Sequence, residues 1–398
     1  MRMNISHRAK AIKPSPTLAV SALANEMRAK GHEIINFGAG EPDFNTPEYI
    51  KKAAKEAIDN NFTHYTKSAG IKELREVISQ KLLTDNNLEC NPEDILVSPG
   101  AKASLMHILM SVCDLRDEVI IPSPYWVSYT SLVELYDAFP ILLPAKSSNR
   151  FKISAEQLSE VIDSLVNPKA LILNSPNNPT GAVYSKKELE EIAEVCLKKD
   201  IIIISDEIYE RLIYDGHEHV SIASISKEIR ENTILINGVS KAFAMTGWRL
   251  GYAAGPSDII KCASRIQSHT TSCVNSITQK AAVVALSKNN GSVEKMRMEF
   301  EKRRNYLVEE LNKINNVSCT KPKGAFYAMP DVSYFIKNNE ELKNSNDLAK
   351  YLLRNYHIAV VPGSAFGAEG FVRFSYATSM ENIKKGVKLF KQGLENLG

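Results

Sequence analysis

Between residues 94 and 261 short apolar runs alternate with helical stretches, and that alternation admits few architectures. The runs are Ile95–Val97, Glu118–Ile121, Ala170–Leu173, Ile201–Ile204 and Thr233–Ile236, with stretches such as Lys186–Lys199 carrying helical spacing between them. Strands that read as continuous apolar runs are covered on both faces, so the pattern predicts an α/β fold with a mostly parallel sheet between layers of helices. In open sheets of this kind ligands bind beyond the carboxyl ends of the strands. The residues that follow each run are therefore the ones to read for chemistry.

The last run leads into Ser240-Lys241, with Arg249 downstream in a glycine-flanked turn. Partial burial lowers a lysine's pKa and frees its amine for attack on a carbonyl, which makes Lys241 a candidate Schiff-base former. Arg249 offers a planar cationic fork suited to phosphate oxygens. A phosphorylated aldehyde satisfies both. Asp206 leaves the four-isoleucine run Ile201–Ile204, where a carboxylate is costly to desolvate without a cation, and no sequence neighbour supplies one; a protonated pyridine nitrogen would. After the first run, Ser98-Pro-Gly-Ala-Lys-Ala-Ser104 enters a helix whose unpaired N–H groups suit a phosphate, although such turns also occur without ligands. Trp126 stands at a strand end, where an aromatic is either core or a platform for a flat ring. Asn178 lies in a loop fixed by two prolines and a glycine. Arg373 sits on a short strand among apolar neighbours, as a structural ion pair or a carboxylate clamp.

Taken together, Asn-Pro-Thr-Gly at 178–181, Ser-Asp-Glu-Ile-Tyr at 205–209, Ser-Lys with Gly247, Arg249 and Gly251, and Arg-Phe-Ser-Tyr at 373–376 occur in one order. The set resembles the pyridoxal-phosphate-dependent transferases of fold type I, specifically the class I and II aminotransferases. Ile12-Lys-Pro-Ser-Pro-Thr, Ser-Pro-Gly-Ala-Lys and Ala-Phe-Ala-Met-Thr-Gly-Trp-Arg are most similar to subgroup Ib, the bacterial-type aspartate aminotransferases. The resemblance covers nearly the whole chain. It implies a seven-stranded sheet, a smaller α+β domain, pyridoxal 5'-phosphate as cofactor and a homodimer with shared active sites.

It also implies roles. Asp206 would hold the ring nitrogen protonated, and Tyr209 and Asn178 would bond the phenolate oxygen. Trp126 would stack on the ring, and Lys241 would carry the cofactor and move the Cα proton. Ala101, Lys102, Ser240, Arg249 and the partner subunit's Tyr65 would bind phosphate. Arg373, helped by Asn178 and Gly40, would clamp the α-carboxylate. In subgroup Ib a lysine at the position of Lys102, assisted by arm residues such as Ser15 and Thr17, reads the distal carboxylate. One departure is Gly238, which stands where animal-type enzymes carry a phosphate-binding serine. The expected activity is transfer from L-aspartate to 2-oxoglutarate in amino-acid metabolism. The alternatives are an aromatic, alanine or prephenate aminotransferase, or a β-lyase on the same fold.

Composition bounds the rest. Lys and Arg number 49 against 46 Asp and Glu, a balance that argues against a nucleic-acid partner held by a basic surface. The six cysteines lack metal-ligand spacing, His217 and His219 flank a single acid in a stretch that reads as a turn, and His107 reads as packing, so no metal is expected. No apolar run approaches the roughly 20 residues of a membrane span, and a cytoplasmic protein is expected. A helix from Leu18 to Lys30 should follow an extended proline-rich arm, and a long helical region should run from Ser268 to Asn315. The expected division is an N-terminal arm with part of the small domain (1–45), a large cofactor-binding domain (46–290) and a small C-terminal domain (291–398).

Overall fold

The computed structural model describes residues 4–6, 9, 10, 12, 16–288 and 290–397, and of the helix that begins the long segment it leaves out the side chains of residues 16–19 and 21. The strands in chain order are β1 (Ile35–Asn36), β2 (Ile95–Ser98), β3 (Glu118–Ser123), β4 (Phe139–Pro144), β5 (Pro168–Asn174), β6 (Ile202–Asp206), β7 (Thr233–Gly238), β8 (Gly251–Ala254), β9 (Tyr327–Ala328), β10 (Ile358–Ala359), β11 (Val361–Pro362) and β12 (Val372–Ser375). Seven of them form one sheet in the order β2-β8-β7-β6-β5-β3-β4. Strands β3 to β7 are parallel, and β8 runs antiparallel to both of its neighbours, β2 and β7.

The isoleucine runs explain why both faces are covered. Successive side chains of a strand point to opposite faces. Ile204 of β6 joins Ile172, Ile234 and Ile236 on the face packed by helices Ala101–Val112 and Ser257–Thr270, while Ile203 joins Leu171 and Leu173 on the face packed by Ala155–Ser164 and Lys186–Lys198. Each such fully buried aliphatic contributes about 1.5–3 kcal/mol relative to exposure. The last two of these helices begin with capping boxes from Ser154 and Ser185, which fix where they start.

The C-terminal third builds two small sheets, β11-β12-β9 and the pair β1-β10, over helices Ser292–Leu311 and Met380–Glu395. Phe37, Phe300, Phe326, Phe374 and Phe390 form its core. Strand β1 pairs parallel with β10, Ile35 opposite Ile358, so the N-terminal segment is structurally part of this region.

Several boundaries differ from expectation. The helix expected from Leu18 runs Pro16–Ala29, two residues earlier than the arm allowed, because proline at a first helical position loses no hydrogen bond. Ser15 lies outside the described residues, as does the side chain of Thr17. The long helical region is three helices, Ser257–Thr270, Ser276–Ser287 and Ser292–Leu311. The turn after the first holds Ser272 at a φ of 59°.

Candidate active site

The parallel register brings Asn174 at the end of β5 level with Asp206 at the end of β6, and Asp206 level with Ile236 of β7. Gly251, the first residue of β8, pairs with both Ser98 and Gly238. Five loops therefore leave one edge of the sheet together. They border a cavity of about 490 Å³ whose other wall is the segment after β1, Tyr327 of β9 and Arg373 of β12.

Of the residues singled out in the sequence, Gly40, Ala101, Lys102, Trp126, Asn178, Asp206, Tyr209, Ser240, Lys241, Arg249 and Arg373 line this cavity. Tyr65 does not, and its side chain is 90% exposed on the surface.

Lys241 is half-buried and its Nζ donates to the Gly40 carbonyl at 2.5 Å. Burial lowers its pKa to about 8, opposed by the nearby Glu41 carboxylate and aided by the Arg249 and Arg373 cations. Asp206 is buried, and its Oδ2 accepts from the Tyr129 hydroxyl at 2.7 Å and Oδ1 from the Ile208 N–H at 3.2 Å. Burial raises its pKa to about 6 against the pull of those two donors. The cavity thus offers an amine and a carboxylate that are each easily held neutral.

Tyr209 and Tyr327 share a hydroxyl–hydroxyl hydrogen bond of 3.0 Å. Asn174 ties β5 to β6 through the Asp206 carbonyl and accepts from the Asn178 N–H at 2.8 Å, which fixes the Asn178 loop. The Arg373 guanidinium lies between the Tyr327 and Phe366 rings, 4.4 and 4.9 Å from their centroids. It donates to Asn178 Oδ1 at 3.0 Å and to the Gly38 carbonyl at 2.9 Å, while its Nε is buried without a partner. No anion pairs with it among the described residues, which sets aside the structural ion pair as its role.

At the other end of the cavity, helix Ala101–Val112 starts at Gly100 with no side-chain cap. Gly100 has a φ of +90°, and a Cβ there would lie 2.4 Å from Arg249 Nη2, so only glycine lets the guanidinium lie over the helix start. Ser240 borders the same corner. Unpaired N–H groups, a helix dipole and an arginine make this an anion cup. Gly238 leaves no room for the side chain found in animal-type enzymes, because a Cβ would sit 2.9 Å from Gly251 Cα. Lys102 is exposed at the cup's rim with its ammonium 4.9 Å from the Trp126 ring centroid.

Tyr129, Glu41 and Tyr327 escaped the sequence reading. Tyr129 was findable: three residues beyond Trp126 at the start of a helix, it shares Trp126's side of the turn, and the two rings pack edge to face at 5.3 Å. Glu41 accepts from the Thr246 hydroxyl at 2.6 Å and so latches the segment after β1 to the turn before Arg249. His219, set aside as a metal ligand, bonds Glu207 at 2.8 Å. Glu207, Glu210 and His219 converge closely enough to resemble a metal cluster, but the Lys81 ammonium already occupies the cation's place on Glu210. His107 is fully buried on its helix and bonds Thr270 at 2.9 Å.

Comparison with known proteins places this geometry. The sequence profile of aminotransferase class I and II matches residues 32–390. The aspartate aminotransferase of Bacillus subtilis (strain 168) is 44% identical over 393 residues, covering 99% of each chain. The aspartate/prephenate aminotransferase of Nitrosomonas europaea is 44% identical over 392 residues, covering 97% of this chain and 98% of that one. Among solved structures, the aspartate aminotransferase of Thermus thermophilus with maleate superposes with a TM-score of 0.92 at 40% identity, covering 99% of this chain and 100% of that one.

Proposed function

The chain belongs to the class I and II aminotransferases, and from that premise we propose that it transfers the amino group of L-aspartate to 2-oxoglutarate, giving oxaloacetate and L-glutamate in a ping-pong cycle. The cofactor of this family is pyridoxal 5'-phosphate, and the residues present fit it. Asp206 is a buried carboxylate with no ion-pair partner among the described residues, set in the same cavity as an amine whose pKa lies near 8, and that pairing carries the reading. The uncapped helix start, Ser240 and Arg249 suit the phosphate, and Trp126 the face of the ring. When bound, the cofactor supplies an aldehyde and an electron-withdrawing pyridinium.

The protein's own groups do the rest. Asp206, once given a cation, stays ionised and keeps the ring nitrogen protonated. Lys241 is neutral often enough near pH 8 to attack an aldehyde, and after release it takes the proton from the substrate's Cα and returns it. Tyr209 and Asn178 hold donors toward the ring oxygen. Arg373 has a free buried Nε and a guanidinium fixed by two aromatic rings, so it is preset to orient the α-carboxylate. Lys102 at the rim reads the distal carboxylate, a reading favoured by a relative solved with the dicarboxylate maleate.

The enzyme works as a homodimer in which the exposed Tyr65 reaches the partner's phosphate cup. The division at 46 and 291 separates the large cofactor-binding domain from the small one, with residues 1–45 shared between arm and small domain. Six free cysteines suit a reducing cytoplasm. Prephenate as an alternative oxo-acid partner is favoured by the naming of the Nitrosomonas relative.

The test is a half-reaction in which purified holoenzyme meets L-aspartate with no acceptor. The visible absorption of the lysine-bound cofactor is expected to disappear. Its persistence with aspartate, together with its loss with phenylalanine or alanine, would overturn the substrate. Lys102→Ala is expected to lower kcat/KM for aspartate and leave alanine unaffected; an equal loss for both would remove Lys102 from distal recognition.

A further inference from the structure

A second cavity, of about 280 Å³, lies on the outer side of the Asn178 loop. Its walls carry four cations: Arg150 and Lys152 from the turn after β4, and Lys321 and Lys323 from the segment that leads into β9. Two anions stand near them, and both are already engaged. Asp215 accepts from both Nη atoms of Arg304 at 2.7 and 2.9 Å and from Lys321 at 3.2 Å. Glu188 caps its own helix through Ser185 and pairs with Lys152.

Arg150 and Lys323 have no carboxylate partner among the described residues. Like charges gathered in a concave site repel, and burial adds to the cost. Lys323 shows both effects: burial first, then the neighbouring Lys152 and Arg150 cations, hold its pKa below the usual lysine range against the weaker pull of Glu188 and Asp215. A fold tolerates such an arrangement on open surface by letting long side chains spread into water. Here Arg150 and Lys321 are exposed at the mouth, but Lys152 and Lys323 are partly buried. Lys152 is only 12% exposed, its ammonium 5.9 Å from the Tyr184 ring centroid. Lys323 is anchored by its own N–H to the Gly181 carbonyl at 2.9 Å, and Gly324 donates to the same carbonyl at 3.0 Å.

We propose that this cavity is a binding site for a small multivalent oxyanion, either a phosphate or a di- or tricarboxylate, held by Arg150, Lys152 and Lys323. Arg150 supplies a fork that bonds two oxygens at once, and the lysines supply point charges. Asp215 and Lys321 form the outer rim. The site is separate from the catalytic cavity, yet Thr180 and Gly181 of its lining lie two and three residues beyond Asn178, and Lys323 lies on the strand approach to Tyr327. An anion there would tie the turn after β4 to the segment that enters the small sheet.

The test uses dimeric holoenzyme, so that the cofactor already fills the catalytic phosphate cup, with inorganic phosphate and citrate titrated by calorimetry at constant ionic strength. One anion at least is expected to bind saturably at one site per chain, and which of the two binds tells phosphate recognition from polycarboxylate recognition. The double variant R150Q/K323Q is expected to weaken that binding about a hundredfold, roughly tenfold per lost charge-assisted contact, with kcat in anion-free buffer unchanged. Absence of saturable binding to either anion, or binding unchanged in the double variant, would overturn the proposal. Should the double variant fail to fold, K323Q alone decides, with about tenfold weakening expected and no weakening counting against the site.

Discussion

The turn at the end of β6 presents one carboxylate forward and two backward, and they are treated in opposite ways. Asp206 faces the cavity with two hydrogen-bond donors and no ion-pair partner among the described residues, and burial pushes its pKa up to about 6. Glu210, four residues on, faces away toward helix Lys72–Asn86. Burial pushes its pKa up as well, but the Lys81 ammonium, His219 and Asn86 outweigh that and hold it at about 2. Glu207 also points back, accepting from Ser205 and Ser221 at 2.9 Å each and pairing with His219. The rear charges are finished by the protein itself, whereas the front charge is left for a ligand to finish. A carboxylate that costs stability when empty can be rigidly placed only if its neighbours in the turn are firmly held.

The sharpest separation of the two faces is Asp206→Asn. The amide keeps the shape and can still meet the Tyr129 hydroxyl, but it cannot hold a cation ionised. Turnover with aspartate is expected to fall by about 10³-fold or more, the scale of a lost charge partner in a dry site, while the thermal midpoint of the cofactor-free protein does not fall. A loss of less than tenfold would mean that Asp206 does not support the reaction.

Lys81→Met should do the reverse. It strands Glu210 in a buried site, a kind of loss that costs about 3–5 kcal/mol, readable as a lowered midpoint in denaturant. Turnover per folded, cofactor-loaded site is expected to stay within about twofold. If turnover collapses while stability holds, the rear cluster belongs to the chemistry and the contrast between faces is wrong.

Asp206 and Glu210 also carry opposite pH signatures. Asp206 binds its proton more tightly folded, at about 6, than at its ordinary 3.8. Its contribution is therefore complete below about pH 4 and is lost as pH rises through 6, some 3 kcal/mol in all. Glu210 binds its proton less tightly folded, so its contribution is present above its ordinary 4.5 and is lost as pH falls through about 2. Unfolding of the cofactor-free protein between about pH 4 and 6 should show Asp206's share of the stability declining with pH. The decline should vanish in Asp206→Asn and on adding cofactor, whereas Lys81→Met should leave it in place.

This contrast also marks what the sequence made legible. Asp206 stood out because a lone acid closes a run of four isoleucines, and Lys241 because a lysine follows another apolar run into small residues. Such signals are local. Strand β4 was not legible: it is an edge strand bounded by prolines with most of its side chains at least partly exposed, so it lacks the apolar continuity of its neighbours. Strand β8 is four small or aromatic residues, Gly-Tyr-Ala-Ala, too short to show a period. Tyr327 and Glu41 reach the cavity only because the small sheets fold back over the large one, and Lys81 meets Glu210 across 129 residues. Contacts of that range depend on packing that no local pattern encodes.

The smallest expected effect is the most informative about the front face. Tyr129 is buried and its hydroxyl is the closest donor to Asp206, at 2.7 Å. Tyr129→Phe removes one charge-assisted hydrogen bond and leaves the ring, its packing on Trp126 and the cavity wall in place. A bond of this type is worth about 1.5–3 kcal/mol to the charged form, so the Asp206 pKa should move above 6 in the cofactor-free protein. The pH-dependent loss of stability should shift upward with it, by about one pH unit. In the holoenzyme the cofactor's cation also holds Asp206 ionised, so turnover should fall by no more than about tenfold. The pH at which the apoprotein loses stability is the measurement that separates an electrostatic role from a packing one. A packing role would lower stability equally across pH 5 to 8 and leave that midpoint where it is in the unaltered chain.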